Sequence, residues 1–223
     1  MKDPQNFREE RLQMVRDQLA GRGIRDERLL DVMRQVPRHA FVPKAYRHLS
    51  YVDGPLPIGE GQTISQPYIV ALMTELLELK GDEVVLEIGT GSGYQAAVLG
   101  GMAARVYSIE RHAGLARQAQ TALESVAIEN VIVIVGDGSH GLAKFAPYQG
   151  IIVTAAAPRV PQPLFDQLAG GGRLVVPVGG VMGQHLQVWT RQGARFERRD
   201  VVPVAFVPLR GEFGWSRQDW EDR

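Results

Sequence analysis

The chain has 223 residues, 44% hydrophobic and 22% charged, which suits one α/β domain with decoration. Its 25 basic and 25 acidic residues cancel, arguing against a general nucleic-acid binder, which needs a basic excess. Zero cysteines exclude disulfides, thiolate catalysis and cysteine metal sites, and suit a reducing cytoplasm, the expected location.

The charged N-terminus, MKDPQNFREERLQMVRDQL, lacks the apolar centre of a signal peptide. No run of about 18 apolar residues predicts a membrane span. Phe7, Leu12, Val15 and Leu19 recur at helical spacing over 5–20. Leu29, Val32, Met33 and Val36 repeat the pattern, and Pro37 ends it. Residues 40–60, with Pro43, Pro55 and Pro57, read as irregular, and GQTISQP (61–67) reads as a loop. After Pro67, YIVALMTELLEL predicts a helix running to KGD at 80–82.

From residue 84 the pattern changes to short apolar runs: VVLEI (84–88), RVYSI (105–109), VIVIV (131–135), GIIVT (150–154) and GRLVVPV (172–178). Segments of helical length, 94–103, 112–127, 138–146 and 161–169, separate them. Strands alternating with helices predict a doubly wound, Rossmann-like, mostly parallel sheet with helices on both faces. HLQVWTR (185–191) and a run near 196–208 leave no room for a helix between them, so an antiparallel edge is expected. The chain reads as a single domain, with a helical cap and active-site loop over 1–82 and the core with its C-terminal β extension over 83–223.

LEIGTGSGYQAA (86–97) places a strand, a glycine turn and a helix start in sequence. Gly89, Gly91 and Gly93 let backbone approach a ligand where a Cβ would clash. A dinucleotide fingerprint needs a third glycine at 94, and that position is Tyr94. The pattern, led by Glu87, resembles the AdoMet-binding turn of Rossmann-like methyltransferases. Glu110 closes the second strand, where a carboxylate can accept both ribose hydroxyls. Asp137, in VGDGSHG after the third strand, can accept from an adenine amino group, with Gly138 permitting close approach. Each group also has a plainer reading: a tight βα turn, a solvated strand-end charge, an Asp-Gly turn. One nucleoside site explains three strand ends at one edge better.

GQTISQP, VLEIGTGSGYQAAVL, VYSIER, VGDG, TAAAP, LAGGGRLVVPVG and VAFVPL occur in that order. Together they resemble the protein-L-isoaspartate O-methyltransferases from about residue 10 to 212. GQTISQP with TAAAP is specific to that family, whereas the glycine turn is widely shared. The resemblance implies methylation of the free α-carboxylate of isoaspartyl residues in damaged proteins and peptides, with AdoMet as co-substrate and no metal. The ester then collapses to a succinimide, and hydrolysis returns some normal aspartate. It implies that Thr63, Ile64 and Ser65 line the cofactor and the reacting carboxylate, with Ser65 and Thr63 the catalytic pair. It also implies cofactor contacts from Glu87, Gly89, Thr90, Gly91, Gly93, Glu110, Arg111, Asp137 and Gly138. The tail after FVPL departs from animal members at Arg210 and Trp215, so it is not assigned to the site.

An α-carboxylate with a pKa of about 3.3–3.7 is already an anion at neutral pH and needs no general base. Alignment and exclusion of water remain, which hydroxyl and amide donors can supply. Thr63 and Ser65 are also candidates for capping the helix after Pro67. The TAAAP loop should face the substrate from the end of the fourth strand. The five histidines are scattered, so metal catalysis is not expected. A monomer acting on isoaspartyl proteins, with no nucleic-acid or membrane partner, is the expectation. The alternatives are a methyltransferase of a small-molecule carboxylate and a non-catalytic binder of damaged sites.

Overall fold

Helical periodicity at the N-terminus becomes α1 (Pro4–Gln13), which passes into a π-helical turn at Met14–Leu19. The computed structural model describes residues 4–221 of the chain. Helix α2 (Glu27–Gln35) starts where the Asp26 carboxylate accepts the amides of Arg28 and Leu29, and it stops before Pro37. Leu29, Leu30 and Met33 bury its apolar face.

The segment expected to be irregular contains two strands, β1 (Leu56–Gly59) and β2 (Gln62–Ile64), paired antiparallel. Thr63 therefore lies on a strand and not in a loop. Gly59, Glu60 and Gly61 all take positive φ, which closes the hairpin. Ile58 and Ile64 point inward and are buried in the main core, so side-chain alternation overrides the prolines. Helix α3 (Pro67–Glu75) has proline in its first turn and ends short of the expected KGD stop.

Strands β3 (Val84–Ile88), β4 (Arg105–Glu110), β5 (Val131–Val135), β6 (Tyr148–Val153), β7 (Leu168–Gly180), β8 (Gly183–Gln192) and β9 (Arg195–Val204) form one sheet. Its order is β5-β4-β3-β6-β7-β8-β9. Pairing is parallel from β5 through β7 and antiparallel from β7 to β9, as the apolar runs and the missing helix predict. Helices α4 (Tyr94–Met102) and α5 (Ala113–Ser125) make the crossovers β3 to β4 and β4 to β5. The chain then returns to place β6 on the other side of β3, so a crevice opens between the carboxyl ends of β3 and β6.

The sheet separates two apolar clusters. Val85, Val106, Ile152 and Val175 face the N-terminal helices and α3, α4 and α5. Leu86, Ile151, Leu174 and Val176 face the other way. That second face is covered thinly. Over 138–146, expected to be helical, the chain makes only 3-10 turns at Gly138–His140 and Ala143–Phe145. The expected helix at 161–169 contracts to α6 (Gln162–Asp166), because Leu168 is drawn into β7 opposite Tyr148. A short α7 (Arg217–Glu221) follows the last strand. No described helix is long and apolar enough to cross a membrane.

Candidate active site

At the carboxyl ends of β3, β4 and β6 the chain forms a cavity of about 590 Å³. The glycine turn makes its floor. Gly89, Gly91 and Gly93 have φ of 97°, 52° and 86°, where L side chains are strained. A Cβ on Gly89 would sit 2.4 Å from Thr154 Oγ1, whereas one on Gly91 would meet only the tip of Ile58, at 3.5 Å. Gly91 faces the cavity, and its missing side chain leaves space there. Gly93 does not line the cavity. A Cβ there would press on Ala119 of α5, so this glycine serves helix packing.

Glu110 is 5% exposed and lines the cavity. Its two oxygens accept the amides of Gly91 and His112, each at 2.9 Å. The turn and the start of α5 thus hold the carboxylate rigid, and each oxygen keeps a lone pair for a ligand hydroxyl. Arg111 and Thr90 also line the cavity.

Glu87 lies beneath this floor, fully buried and outside the lining. The Ser108 hydroxyl donates to its Oε2. Having donated that proton, Ser108 accepts from Thr90 Oγ1 at 2.5 Å. Glu87 Oε1 is buried without a hydrogen-bond partner. Burial pushes the Glu87 carboxyl up to about 8, against the Ser108 hydrogen bond and with help from nearby Glu110. Burial thus favours the protonated acid, and the Ser108–Thr90 pair links it to the turn.

Opposite the floor stand Thr63, Ile64 and Ser65, all in the lining. The N-cap of α3 is Gln66, with no side-chain cap, so neither hydroxyl caps the helix. Buried Ile64 fixes the direction of its two neighbours. Thr154 and Ala155 enter from the end of β6, where the TAAAP loop was expected to face a substrate. Thr154 Oγ1 donates to Gly89 O at 2.6 Å and ties that loop to the glycine turn.

Gly138 lines the cavity, but Asp137 does not. Its carboxylate accepts from the amide and hydroxyl of Ser139 and from the amide of Glu212 in the tail. Desolvation opposes its ionisation, but these donors and His140 outweigh it, holding the carboxyl below its ordinary range. His140 Nε2 stands 3.0 Å from Glu212 Oε2, so this histidine fastens the tail. The tail also supplies Leu209, Arg210, Arg217 and Trp220 to the cavity wall. Sequence reasoning left the tail out, because its residues depart from the familiar pattern and carry no periodic signal. Gln95 and His112 were missed too, since each occupies an ordinary helix-start position.

This geometry coincides with a sequence match. The profile of the protein-L-isoaspartate(D-aspartate) O-methyltransferases covers residues 9–214. The chain belongs to that family. Among its methyltransferase relatives, the protein-L-isoaspartate O-methyltransferase of Methanoregula boonei is 55% identical over 97% of this chain and 100% of its own length. That of Syntrophobacter fumaroxidans is 53% identical over 95% and 99%. A solved protein-L-isoaspartate O-methyltransferase superposes with a TM-score of 0.83 at 31% identity, over 93% of this chain and 67% of the other. The fold is also that of a Plasmodium falciparum methyltransferase solved with S-adenosyl-L-homocysteine, with TM-score 0.79, 24% identity and coverage of 90% and 98%. Among the described residues no group of three or more His, Cys, Asp or Glu could hold a metal.

Proposed function

We propose that this cavity binds AdoMet on the glycine turn and methylates the free α-carboxylate of L-isoaspartyl residues in proteins and peptides. The observation that carries the reading is the pair of hydroxyls, Thr63 and Ser65, on a core-anchored hairpin across one cavity from Gly89 and Gly91. Neither hydroxyl is engaged in a hydrogen bond among the described residues, so both are available to a ligand.

The residues fit AdoMet. Gly91 leaves its space open, Glu110 presents a rigid carboxylate for ribose hydroxyls, and Gly138 lines the adjacent strand end, its missing side chain leaving room for Ile88. Bound there, AdoMet supplies a sulfonium methyl, which passes to a carboxylate oxygen as the carbon–sulfur bond breaks and AdoHcy departs.

The remaining work is positional. The substrate carboxylate arrives ionised, since its pKa of about 3.3–3.7 lies far below neutral. Ser65 donates to one oxygen and aims the other along the methyl–sulfur axis. Thr63 brackets the same group from the strand. A neutral donor does this without the fixed charge that would hold the attacking electrons back. Glu110 is already held by two amides, and no base is required of it. Burial drives Glu87 toward its uncharged form, which limits the second charge below the turn. A cytoplasmic monomer is the setting we propose, and the absence of cysteine suits it.

The test offers methyl-labelled AdoMet to two peptides that differ only in an isoaspartyl or aspartyl linkage. Base-labile label on the isoaspartyl peptide alone is expected. Equal labelling of both, or label only on small carboxylic acids, would overturn the substrate assignment.

A further inference from the structure

Gln95 lies in the first turn of α4, two residues past the glycine turn, and is 7% exposed. It lines the cavity beside Tyr94 and Val70. Its Nε2 donates to Thr74 Oγ1 at 2.8 Å. Thr74 is itself buried, and its hydroxyl proton is committed to Val70 O, also at 2.8 Å. A hydroxyl has one proton, so Thr74 can only accept from Gln95. That fixes which way the amide points: nitrogen toward α3, oxygen away from it. The amide oxygen accepts no hydrogen bond among the described residues. It is not sealed in either, being absent from the buried, unpartnered atoms of the chain.

We propose that Gln95 Oε1 is a ligand-binding acceptor, locked by Thr74, that takes an N–H of the molecule in the cavity. The inference rests on the functional reading above. An amide oxygen has no proton to give, so it cannot hold the reacting carboxylate and repels it toward Ser65. Its partner must be a donor. Under that reading the adenine amino group of the methyl donor belongs at the Gly138 strand end, which leaves two N–H donors for Gln95: the α-ammonium of the methyl donor, and the backbone amide of the isoaspartyl peptide. Gln95 thereby contributes to selection, because a ligand lacking the N–H leaves the oxygen dry and unpaired.

Gln95→Leu removes the acceptor at nearly constant volume. AdoHcy affinity is measured by calorimetry, with 5′-methylthioadenosine, which lacks the amino-acid part, as the control. The peptide KM is measured at saturating AdoMet. If the ammonium is the donor, AdoHcy binding weakens about tenfold or more while methylthioadenosine stays within about twofold. If the peptide amide is the donor, the peptide KM rises about fivefold with AdoHcy unchanged. Either supports the assignment and identifies the source. All three values within about twofold of the parent would overturn it, as would equal weakening of AdoHcy and methylthioadenosine, which marks general distortion. Should Gln95→Leu not fold, Thr74→Val keeps the acceptor and frees its orientation, and the same readouts apply with smaller factors. A parent protein that leaves the isoaspartyl peptide unmethylated would refute the functional reading, while the AdoHcy comparison still decides Gln95.

Discussion

Single side chains decide the chemistry here by aim more than by reactivity. Ser65→Ala should lower kcat about 10²-fold, the scale of a misplaced reactant, with AdoHcy affinity within about twofold. Steady-state kinetics alongside calorimetry check this, and an unchanged kcat would remove Ser65 from its role. Glu87 gives a pH signature. Its folded pKa, raised by burial to about 8, exceeds the ordinary carboxyl value of about 4.3. Between those values the unfolded chain releases a proton that the folded chain keeps, so stability falls as pH rises. The contribution is full below the unfolded pKa and lost toward pH 8. Glu87→Gln removes the difference, so its Tm should decline less than the parent's between about pH 5 and pH 8. Parallel melting curves across that window would contradict a buried, neutral Glu87. Ser65 could be singled out from sequence, but the neutrality of Glu87 could not. The latter depends on burial inside the sheet, which outweighs the opposing hydrogen bond from Ser108 and exists only in the folded chain.

At the scale of elements, the turn between β3 and α4 is the most constrained. A methyl group on Gly89 would combine a φ of 97° with a 2.4 Å approach to Thr154 Oγ1. Gly89→Ala should cost about 2–4 kcal/mol, or roughly 5–10 °C in Tm for a chain of this size, and abolish AdoHcy binding. Differential scanning fluorimetry with and without AdoHcy reads both effects. The parallel strands were legible because sheet strands covered on both faces must be apolar throughout, as GIIVT is; VIVIV shares the pattern although Ile132 and Val135 stay exposed on the edge strand β5. The stretches 138–146 and 161–169 misled because composition suits a helix, while Gly141, with a φ of 66°, interrupts the first and β7 claims Leu168 from the second. The hairpin β1–β2 was hidden by its prolines. Pro57 is nonetheless tolerated, because it sits on the exposed side of a two-stranded ribbon.

Across the whole molecule the tail links the sheet's far side to the site. Glu212 and Phe213 donate their amides to Asp137 and Ser139, Trp215 buries itself against Gly180, and Trp220 reaches the cavity wall. Ending the chain at Arg210 should lower Tm by several degrees and weaken AdoHcy about fivefold to tenfold, because small-ligand sites bury about 70–90% of their ligand. Unchanged affinity would show that the tail is no wall. This dependence had no sequence signal, since contacts from residue 212 back to 137 are a property of the fold alone.

The hairpin that carries Thr63 and Ser65 has a consequence for heat. Ile58 and Ile64 belong to the same buried cluster as the strands of the sheet, so the hydroxyls are not mounted on a flap that loosens first. Their aim should persist for as long as the core does, and loss of turnover on warming should coincide with melting. Aspartyl and asparaginyl damage gathers faster in the warm, and an enzyme built this way keeps its hydroxyls aimed for as long as it stays folded.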